Sequence, residues 1–328
     1  MAFVSMRRYS ADKKIIQESY ADSSVVRMVP KLRNWKWNRI ALRRRVKAMK
    51  IDTIIARGPF AANLALDLKD EKLIKRVIFD ARGAYVAEIS EYNVIPDRAV
   101  ADQIEELERR AVLRSDRRIA VSHQLKEYWK EMFGYDGKFT EVIPCTIASQ
   151  HVAGGMQKGT SGDNIRIVFS GSAAGWQSLG QLDIIRSVLT KNPKAIFLFL
   201  VPDAGAIIPL INEFPGRIET KWVAQTAVAA SLASSDYGWM VRENSTTNRV
   251  ASPVKFAEYL SAGLKVIISK GLGDYSDFVT KHNAGVIVDG EIGLLPVVSE
   301  EEKERMNALA MEYFTKEKFK QQYIGLFQ

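Results

Sequence analysis

The chain has 328 residues, which is enough for two domains of about 150 residues that each bury a hydrophobic core. Apolar residues make up 47% and charged residues 26%, which is typical of globular proteins, and the sequence has no run of roughly 18 apolar residues that would form a membrane-spanning helix. Because Cys145 is the only cysteine and the N-terminus lacks the residue order of a secretory signal, we expect a soluble protein of the reducing cytoplasm.

Positive charge is concentrated at the N-terminal end. The net charge is +9, yet the first 50 residues contain 14 Lys and Arg against Asp12, Glu18 and Asp22, a balance of +11. This basic end indicates an anionic partner. Charge alone leaves nucleic acid, a membrane surface and a phosphorylated substrate open.

Residues 31–50 form the densest part of this basic end and predict an amphipathic helix. One side carries Leu32, Trp35, Leu42, Val46 and Met49, and another carries Lys36, Arg43, Lys47 and Lys50. Trp beside dense Lys and Arg suits the surface of an anionic bilayer. The alternative is a crossover helix that packs its apolar side on a sheet while its bases are solvated. No nucleic-acid recognition motif accompanies the charge.

Short β-branched runs alternate with helical segments along the rest of the chain. This alternation predicts parallel sheets covered by crossover helices, the α/β class. The predicted strands are 53–56, 76–80, 117–121, 140–143, 165–170, 195–201, 237–241, 265–269 and 284–288. The predicted helices are 99–114, 124–133, 179–192, 228–234, 253–261 and 275–281.

Charged side chains follow the first two of these strands. Arg57 and Gly58 come after strand 53–56, while Asp80 and Arg82 come at the end of strand 76–80. Because open parallel sheets bind ligands at the carboxyl ends of their strands, an arginine there would bind a phosphate or carboxylate, and Asp80 a hydroxyl. The alternative is an Asp–Arg pair that fixes a turn.

A break in composition divides the chain. The stretch SQHVAGGMQKGTSGDN, which starts at Ser149, is rich in small polar residues and predicts a linker over 149–163. The linker separates an N-terminal domain, 1–148, from a C-terminal domain, 164–298. The tail, 299–328, shows a helical apolar pattern and requires a surface on which to pack.

The loop FSGSAAGW, Phe169 to Trp176, follows the first strand of the C-terminal domain. Its small residues would let backbone amides approach a diphosphate closely. The loop has neither the Lys-Ser/Thr ending of a P-loop nor the spacing of a dinucleotide fingerprint. A tight strand-to-helix turn is therefore the alternative interpretation.

A second polar region precedes the helix predicted over 253–261. We expect Ser252 to cap this helix and Pro253 to be its first residue. Lys255 falls in the first turn, where a cation opposes the helix dipole, so an anion bound before the helix would explain it. Glu258, one turn later, would then accept hydrogen bonds from a ribose. The alternative is a surface Lys–Glu pair.

Five segments share features with one enzyme family. In chain order they are VIFDARGAYVAE, VSHQLKEYWKEMFGYDGKFTEVIPC, IVFSGSAAGWQ, SSDYGWMVRE and SPVKFAEYLSAGLKVIIS. Together they resemble retaining glycosyltransferases of family 4 (glycosyltransferase group 1), of the type that makes bacterial cell-surface polysaccharides. The resemblance covers most of residues 54–290. It implies the GT-B fold, with two facing Rossmann-like domains, parallel sheets and a cleft between them, and with the tail packing back on the N-terminal domain.

The resemblance implies a nucleotide-sugar site in the C-terminal domain. Its expected residues are Gly171, Ser172, Asn244, Ser252, Pro253, Lys255 and Glu258. Glu258 matches the second glutamate of the family's pair, which binds the ribose, and Gly171 matches the glycine of the diphosphate loop. The acceptor would bind the N-terminal domain at Arg57, Asp80 and Arg82.

Two departures from the family pattern change where the diphosphate charge is balanced. Val250 occupies the position of the family's first glutamate, and SAAGWQSLG lacks the Arg and Lys that often hold the diphosphate. We expect Lys255 to supply this charge first, then Arg242 and Arg249. The catalytic candidates are accordingly Lys255, Arg242 and Asp80.

The expected reaction transfers a sugar, with retention, from a UDP- or GDP-type nucleotide sugar to a hydroxyl of a glycan or lipid-linked acceptor. Three dispersed histidines and the absence of Asp-x-Asp from the sequence predict no metal and no cofactor. We expect the protein at the inner face of the cell membrane, touching it through 31–50, and no nucleic-acid partner. The alternatives are an epimerase or hydrolase of the same fold, which needs an acid and a base beyond Asp80, Glu88 and Glu91, or a non-catalytic scaffold.

Overall fold

The computed structural model describes residues 1–5, 9–20, 26–29, 32–149, 164–171, 175–177, 182–290 and 292–328. The chain divides into two compact units. The first unit comprises Met1–Ala120, Lys126–Glu141 and Phe327, and the second comprises Val121–Leu125, Val142–Leu326 and Gln328. The second unit thus begins before the linker predicted at 149–163, of which 150–163 lie outside the described residues.

The N-terminal part of the chain forms two separate sheets. Strands β1 (Ala2–Ser5) and β2 (Val26–Val29) form a parallel pair. A four-stranded sheet has the order β3-β4-β5-β6, with β3 (Thr53–Arg57), β4 (Arg76–Asp80), β5 (Arg117–Ala120) and β6 (Thr140–Val142). The helices are α1 (Tyr9–Tyr20), α2 (Asn38–Met49), α3 (Gly58–Asp70), α4 (Tyr85–Tyr92), α5 (Arg98–Ala101), α6 (Ile104–Arg114) and α7 (His123–Phe133).

The second unit contains a six-stranded parallel sheet with the order β12-β11-β10-β7-β8-β9. Its strands are β7 (Ile165–Ser170), β8 (Ala195–Leu200), β9 (Ile218–Lys221), β10 (Tyr237–Met240), β11 (Lys265–Ser269) and β12 (Gly285–Val288). Its helices are α8 (Leu182–Lys191), α9 (Ile208–Glu213), α10 (Gln225–Ala233), α11 (Thr246–Val250), α12 (Val254–Ser261), α13 (Gly273–His282), α14 (Glu300–Phe314) and α15 (Lys320–Gly325).

This six-stranded sheet is doubly wound, because the chain builds outward from β7 in one direction and then from β10 in the other. Successive residues of β7 enter opposite cores: Val168 joins the cluster that contains the apolar residues of α12 to α14, and Phe169 joins the cluster on the other face. Burial on both faces explains why the strands read as continuous apolar runs. The α/β prediction and the nine predicted strands are confirmed.

The tail helix α14 packs on the second unit. Phe314 contacts Phe256 of α12 with their ring centroids 5.4 Å apart, and Met306 is fully buried in the same core cluster. That the tail also packs back on the N-terminal domain stays a prediction. The apolar pattern of the tail indicated correctly that it would be buried, but a pattern on one helix does not specify the surface that covers it.

The segment predicted as one helix over 31–50 is a 3-10 helix, Leu32–Trp37, followed by α2. Asn34 has non-helical torsion angles within the first part, which turns the chain. Only part of the predicted apolar face is covered as a result: Trp35 is buried, whereas Leu32 and Met49 are exposed. The helices α1, α3, α4, α9 and α11 and the strands β1, β2 and β9 were not predicted from the sequence.

Gly238 in β10 allows the Tyr259 ring to pack directly on the sheet, because a Cβ atom at Gly238 would lie 2.2 Å from Tyr259 Cδ2. We predict that Gly238→Ala lowers the free energy of unfolding by about 1–3 kcal/mol, since the ring is fully buried and cannot move without strain. Urea unfolding measures the change. Gly293→Ala is the matched control, because no atom lies within 4 Å of its Cβ position. Equal midpoints for the two variants would contradict the prediction.

Candidate functional site

The strand order of the six-stranded sheet reverses between β7 and β10, and ligands of doubly wound sheets bind at the carboxyl ends of the strands at such a point. Gly171 directly follows β7. Arg242 lies in the loop after β10, and Lys255 lies in the first turn of α12. The topology therefore brings three of the predicted residues to the same edge of one sheet.

Lys255 is half-buried and directed towards the end of β7. Its Nζ donates a hydrogen bond to Gln177 Oε1 at 2.5 Å and lies 5.2 Å from the centre of the Phe169 ring. Burial, and after it the nearby charge of Arg242, lower the pKa of Lys255 from 10.5 to about 7, while the charge of Glu258 opposes this shift. Lys255 is thus not the solvent-exposed partner of Glu258 that the alternative interpretation requires.

Gly171 creates the space in which the Lys255 ammonium lies. A Cβ atom at position 171 would come within 2.4 Å of Lys255 Nζ and 2.1 Å of Gln177 Oε1, so any larger residue would displace both groups. The amide of Gly171 donates to Leu200 O at 3.1 Å and extends the ladder between β7 and β8. This glycine therefore contributes clearance, and its own N–H is already used within the sheet.

Arg242 is fixed by neighbours on both its backbone and its side chain. Its N–H donates to Ser269 Oγ at 2.7 Å, the Ser269 hydroxyl donates to its carbonyl, and its guanidinium donates to Asn248 Oδ1 at 3.4 Å. Asn248 is buried and donates in turn to Glu243 O. The loop after β10 thus holds a second, buried cation near Lys255.

Tyr259 links the two strands at the reversal point. Its ring packs against Gly238, and its hydroxyl accepts the Ser170 N–H at 3.0 Å and donates to Trp239 O at 3.4 Å. The last residue of β7 is therefore tied to α12, the helix that carries Lys255. This brace fixes the distance between Gly171 and Lys255.

In the first unit, Asp80 joins the two arginines that the sequence placed beside it. Its Oδ2 atom accepts from Arg57 Nε at 3.0 Å and from Arg82 Nη2 at 2.9 Å. The Asp80 side chain is 6% exposed and Arg57 is 64% exposed, so the buried carboxylate anchors a guanidinium that faces solvent. The geometry supports the Asp–Arg pairing, and Asp80 is too buried to present its own oxygens to a ligand.

The loop after β4 also lies against groups that the sequence did not single out as a cluster. Tyr85 accepts the Arg82 N–H, and Glu108 accepts the Val86 N–H at 2.9 Å at the start of α4. Burial raises the pKa of Glu88 to about 7 and that of Glu108 to about 8. Because the folded state binds these protons more tightly, the two carboxyl groups contribute stability at low pH that is lost as the pH rises through about 7 to 8.

The described residues were searched for metal-ligand groups and for membrane-spanning helices. No group of three or more His, Cys, Asp or Glu residues in them is arranged to hold a metal ion. None of their helices is long and apolar enough to cross a membrane.

Known proteins of similar sequence or structure identify the fold. Residues 8–151, somewhat less than half of the chain, match the family model described as Glycosyltransferase Family 4. No curated protein matches the chain by sequence. Similar solved structures include HepE of Anabaena in complex with UDP, with a TM-score of 0.69 at 14% identity over 96% of this chain and 88% of that one. A glycosyltransferase from Rickettsia africae has a TM-score of 0.66 at 12% identity, over 99% of this chain and 96% of that one. Sucrose-phosphate synthase of Thermosynechococcus elongatus has a TM-score of 0.65 at 13% identity, over 92% of this chain and 81% of that one. The chain has the GT-B fold.

In this GT-B chain Ser252, one of the residues expected to bind the nucleotide sugar, makes other contacts than predicted. Helix α12 begins at Val254 with Pro253 as its N-cap residue, so Ser252 does not cap it. The Ser252 hydroxyl instead accepts the Cys145 N–H at 2.7 Å and pairs with the buried Tyr275 hydroxyl. The capping prediction was wrong, because the hydroxyl has partners that are remote in sequence.

The remaining predicted residues occupy different environments. Asn244 is exposed in the loop after β10, and Glu258 is half-buried on α12. Val250, which replaces the family's first glutamate, is fully buried. Ser172 lies outside the described residues. Sequence reasoning missed Gln177 and Phe169 as contacts of Lys255, and neither carries a motif signal.

The charges around Lys255 in the second unit predict how a substitution changes the pKa of this lysine. Arg242→Gln removes a repelling charge and therefore raises the pKa of Lys255 above about 7. Arg249→Gln is the matched control, since Arg249 is exposed on the adjacent helix α11 and is not among the charges that act on Lys255. A pH titration of labelled lysine side chains by NMR reports the pKa. A lower pKa in Arg242→Gln would refute the like-charge interaction.

Proposed function

We propose that this protein is a glycosyltransferase that moves a sugar from a nucleoside diphosphate sugar to a hydroxyl group. The observation that carries the proposal is the pair of confined cations, Lys255 and Arg242, at the point where a doubly wound sheet reverses its strand order. The match of residues 8–151 to a glycosyltransferase family model and the similarity to HepE, solved with UDP and with UDP-glucose, support it.

The arrangement favours a bound anion. Two cations near each other in a partly buried place repel, and a diphosphate between them would replace this repulsion with attraction. The Lys255 ammonium now donates to the neutral amide oxygen of Gln177. A phosphate oxygen is a stronger acceptor, so we expect the donor's diphosphate to replace Gln177 as the partner of Nζ.

The same contacts supply the chemistry. Negative charge grows on the leaving diphosphate as the glycosidic bond breaks, and fixed cations at that place stabilise the transition state more than the ground state. Lys255 and Arg242 therefore act on the leaving group, and Glu258 binds the ribose. We infer retention of configuration, because a phosphate held on one face of the sugar can itself accept the proton of an acceptor that attacks from that face.

The acceptor side of the proposal rests on Arg57. Its guanidinium is largely exposed, but its orientation is set by the buried carboxylate of Asp80. An oriented arginine binds phosphate or carboxylate groups in a bidentate manner. Asp80 accordingly becomes a positioning residue, with Arg57 and Arg82 as the groups that contact an acceptor.

The chain itself supplies positive charge for the diphosphate. With two cations for the diphosphate, we propose that the reaction needs no metal ion and no cofactor. The donor is of the UDP or GDP type. An acceptor that carries phosphate, as lipid-linked glycans of surface polysaccharide synthesis do, fits the arginines of the first unit.

Sugar transfer is the direct test. The protein is incubated with labelled UDP- and GDP-sugars, with EDTA, and with glycan, sugar-phosphate and polyprenyl-phosphate acceptors. We expect acceptor-dependent transfer from one donor. A free epimer formed without acceptor would favour the epimerase alternative, and binding of no nucleotide at all would leave a non-catalytic scaffold.

Lys255→Met keeps the aliphatic stem and removes the ammonium. We predict that it weakens UDP or GDP binding by about 10- to 100-fold, as expected for a hydrogen bond to a charged group. Calorimetry measures the affinity. Lys270→Met is the control, because Lys270 is exposed and pairs with Asp289 on the surface. Equal affinities of the two variants would rule out the diphosphate role of Lys255.

Arg57→Ala is predicted to raise the acceptor KM by about tenfold or more while the UDP affinity stays unchanged, since it removes one charged contact to the acceptor alone. Asp80→Asn gives a smaller rise of the same kind, because it loosens the orientation of Arg57. Both are measured with the acceptor most active in the transfer assay. Arg109→Ala, an exposed arginine paired with Glu106 on α6, is the control. A change in kcat without a change in KM would contradict an acceptor-binding role.

A further inference from the structure

Residues 32–49 show two different faces, and the inner face is fully explained by packing. Trp35 meets Phe60 of α3 with ring centroids 5.3 Å apart, and Val46 is buried. Arg39 and Arg43 lie within 4 Å of carboxylates at the C-terminal end of α3, those of Asp67 and of the C-cap residue Glu71. Two of the arginines in this segment therefore form ion pairs that hold α2 against α3.

The outer face has no such explanation. Trp37 is 73% exposed and Ile40 is 60% exposed. With further residues of α2 and with Met1 they line a shallow groove; the helix residues that line it are Trp37, Ile40, Ala41, Arg44, Arg45 and Ala48. These positions follow a spacing of three and four residues, so they form one stripe of the helix. Within the described ranges, Arg44 and Arg45 form no ion pair.

The chemistry of this stripe combines an exposed indole, an exposed aliphatic chain and two guanidinium groups. Water solvates the guanidinium groups well, but exposure of the apolar surfaces of Trp37 and Ile40 to water is unfavourable. An anionic bilayer surface satisfies both kinds of group at once: the apolar side chains enter the headgroup boundary, and the arginines bind lipid phosphates. A nucleic acid would use the charge but not the aliphatic chain.

We propose that the outer stripe of residues 37–48 docks this protein on an anionic lipid bilayer. Trp37 and Ile40 insert at the headgroup boundary, and Arg44 and Arg45 bind the phosphates of acidic lipids. The proposal stands apart from the proposed sugar transfer, since vesicle binding requires neither donor nor acceptor.

Vesicle sedimentation of the full chain tests the proposal. We expect binding to vesicles of phosphatidylcholine with about 30% phosphatidylglycerol and little binding to phosphatidylcholine alone. Arg44→Gln with Arg45→Gln is expected to reduce partitioning by about 30-fold, from two basic residues lost at the surface. Trp37→Ser with Ile40→Ser reduces it as well, at an unchanged thermal midpoint.

The control is Lys316→Gln with Lys318→Gln, which removes the same charge from exposed positions elsewhere and is expected to keep at least about half of the binding. Equal partitioning of the arginine and lysine variants would overturn the proposal. So would equal binding to neutral and anionic vesicles, or binding to RNA with no binding to vesicles. Self-association that Trp37→Ser with Ile40→Ser abolishes, without vesicle binding, would assign the stripe to a second copy of this chain.

Discussion

The confinement of the Lys255 ammonium at the end of β7 is the constraint on which the candidate site depends. Gly171 leaves just enough space for it, the Tyr259 hydroxyl ties the end of β7 to α12, and Gly238 allows the Tyr259 ring to pack there. Partial burial disfavours the charged form of the lysine, and a second cation increases this penalty. A site built in this way is less stable when empty than when an anion is bound.

The cations of the two units have different charged neighbours. In the first unit a buried carboxylate, Asp80, binds both Arg57 and Arg82, so one of the two positive charges is balanced before any ligand arrives. In the second unit the charge of Arg242 opposes that of Lys255, and Glu258 offsets only part of it. The first arrangement suits orientation of an acceptor, and the second suits capture of a diphosphate and stabilisation of its growing charge.

The strands and the strand-end residues could be predicted from sequence because they depend on local features. A strand buried on both faces reads as an apolar run, and a residue just after such a run lies at the carboxyl edge of the sheet. Contacts between remote residues could not be predicted. Gln177 meets Lys255 across 78 positions, and Ser252 accepts an amide hydrogen from Cys145 across 107. Helix α3 was missed because Gly58 begins it directly after β3, with no polar loop to separate the two elements.

A crystal structure with UDP bound at saturating concentration would show whether Lys255 binds the diphosphate. We expect a diphosphate oxygen within about 2.7–3.2 Å of Lys255 Nζ, with the Gln177 side chain displaced from that atom and Arg242 facing the same diphosphate. UDP bound elsewhere, or bound here while Lys255 still donates to Gln177, would rule out this role of Lys255.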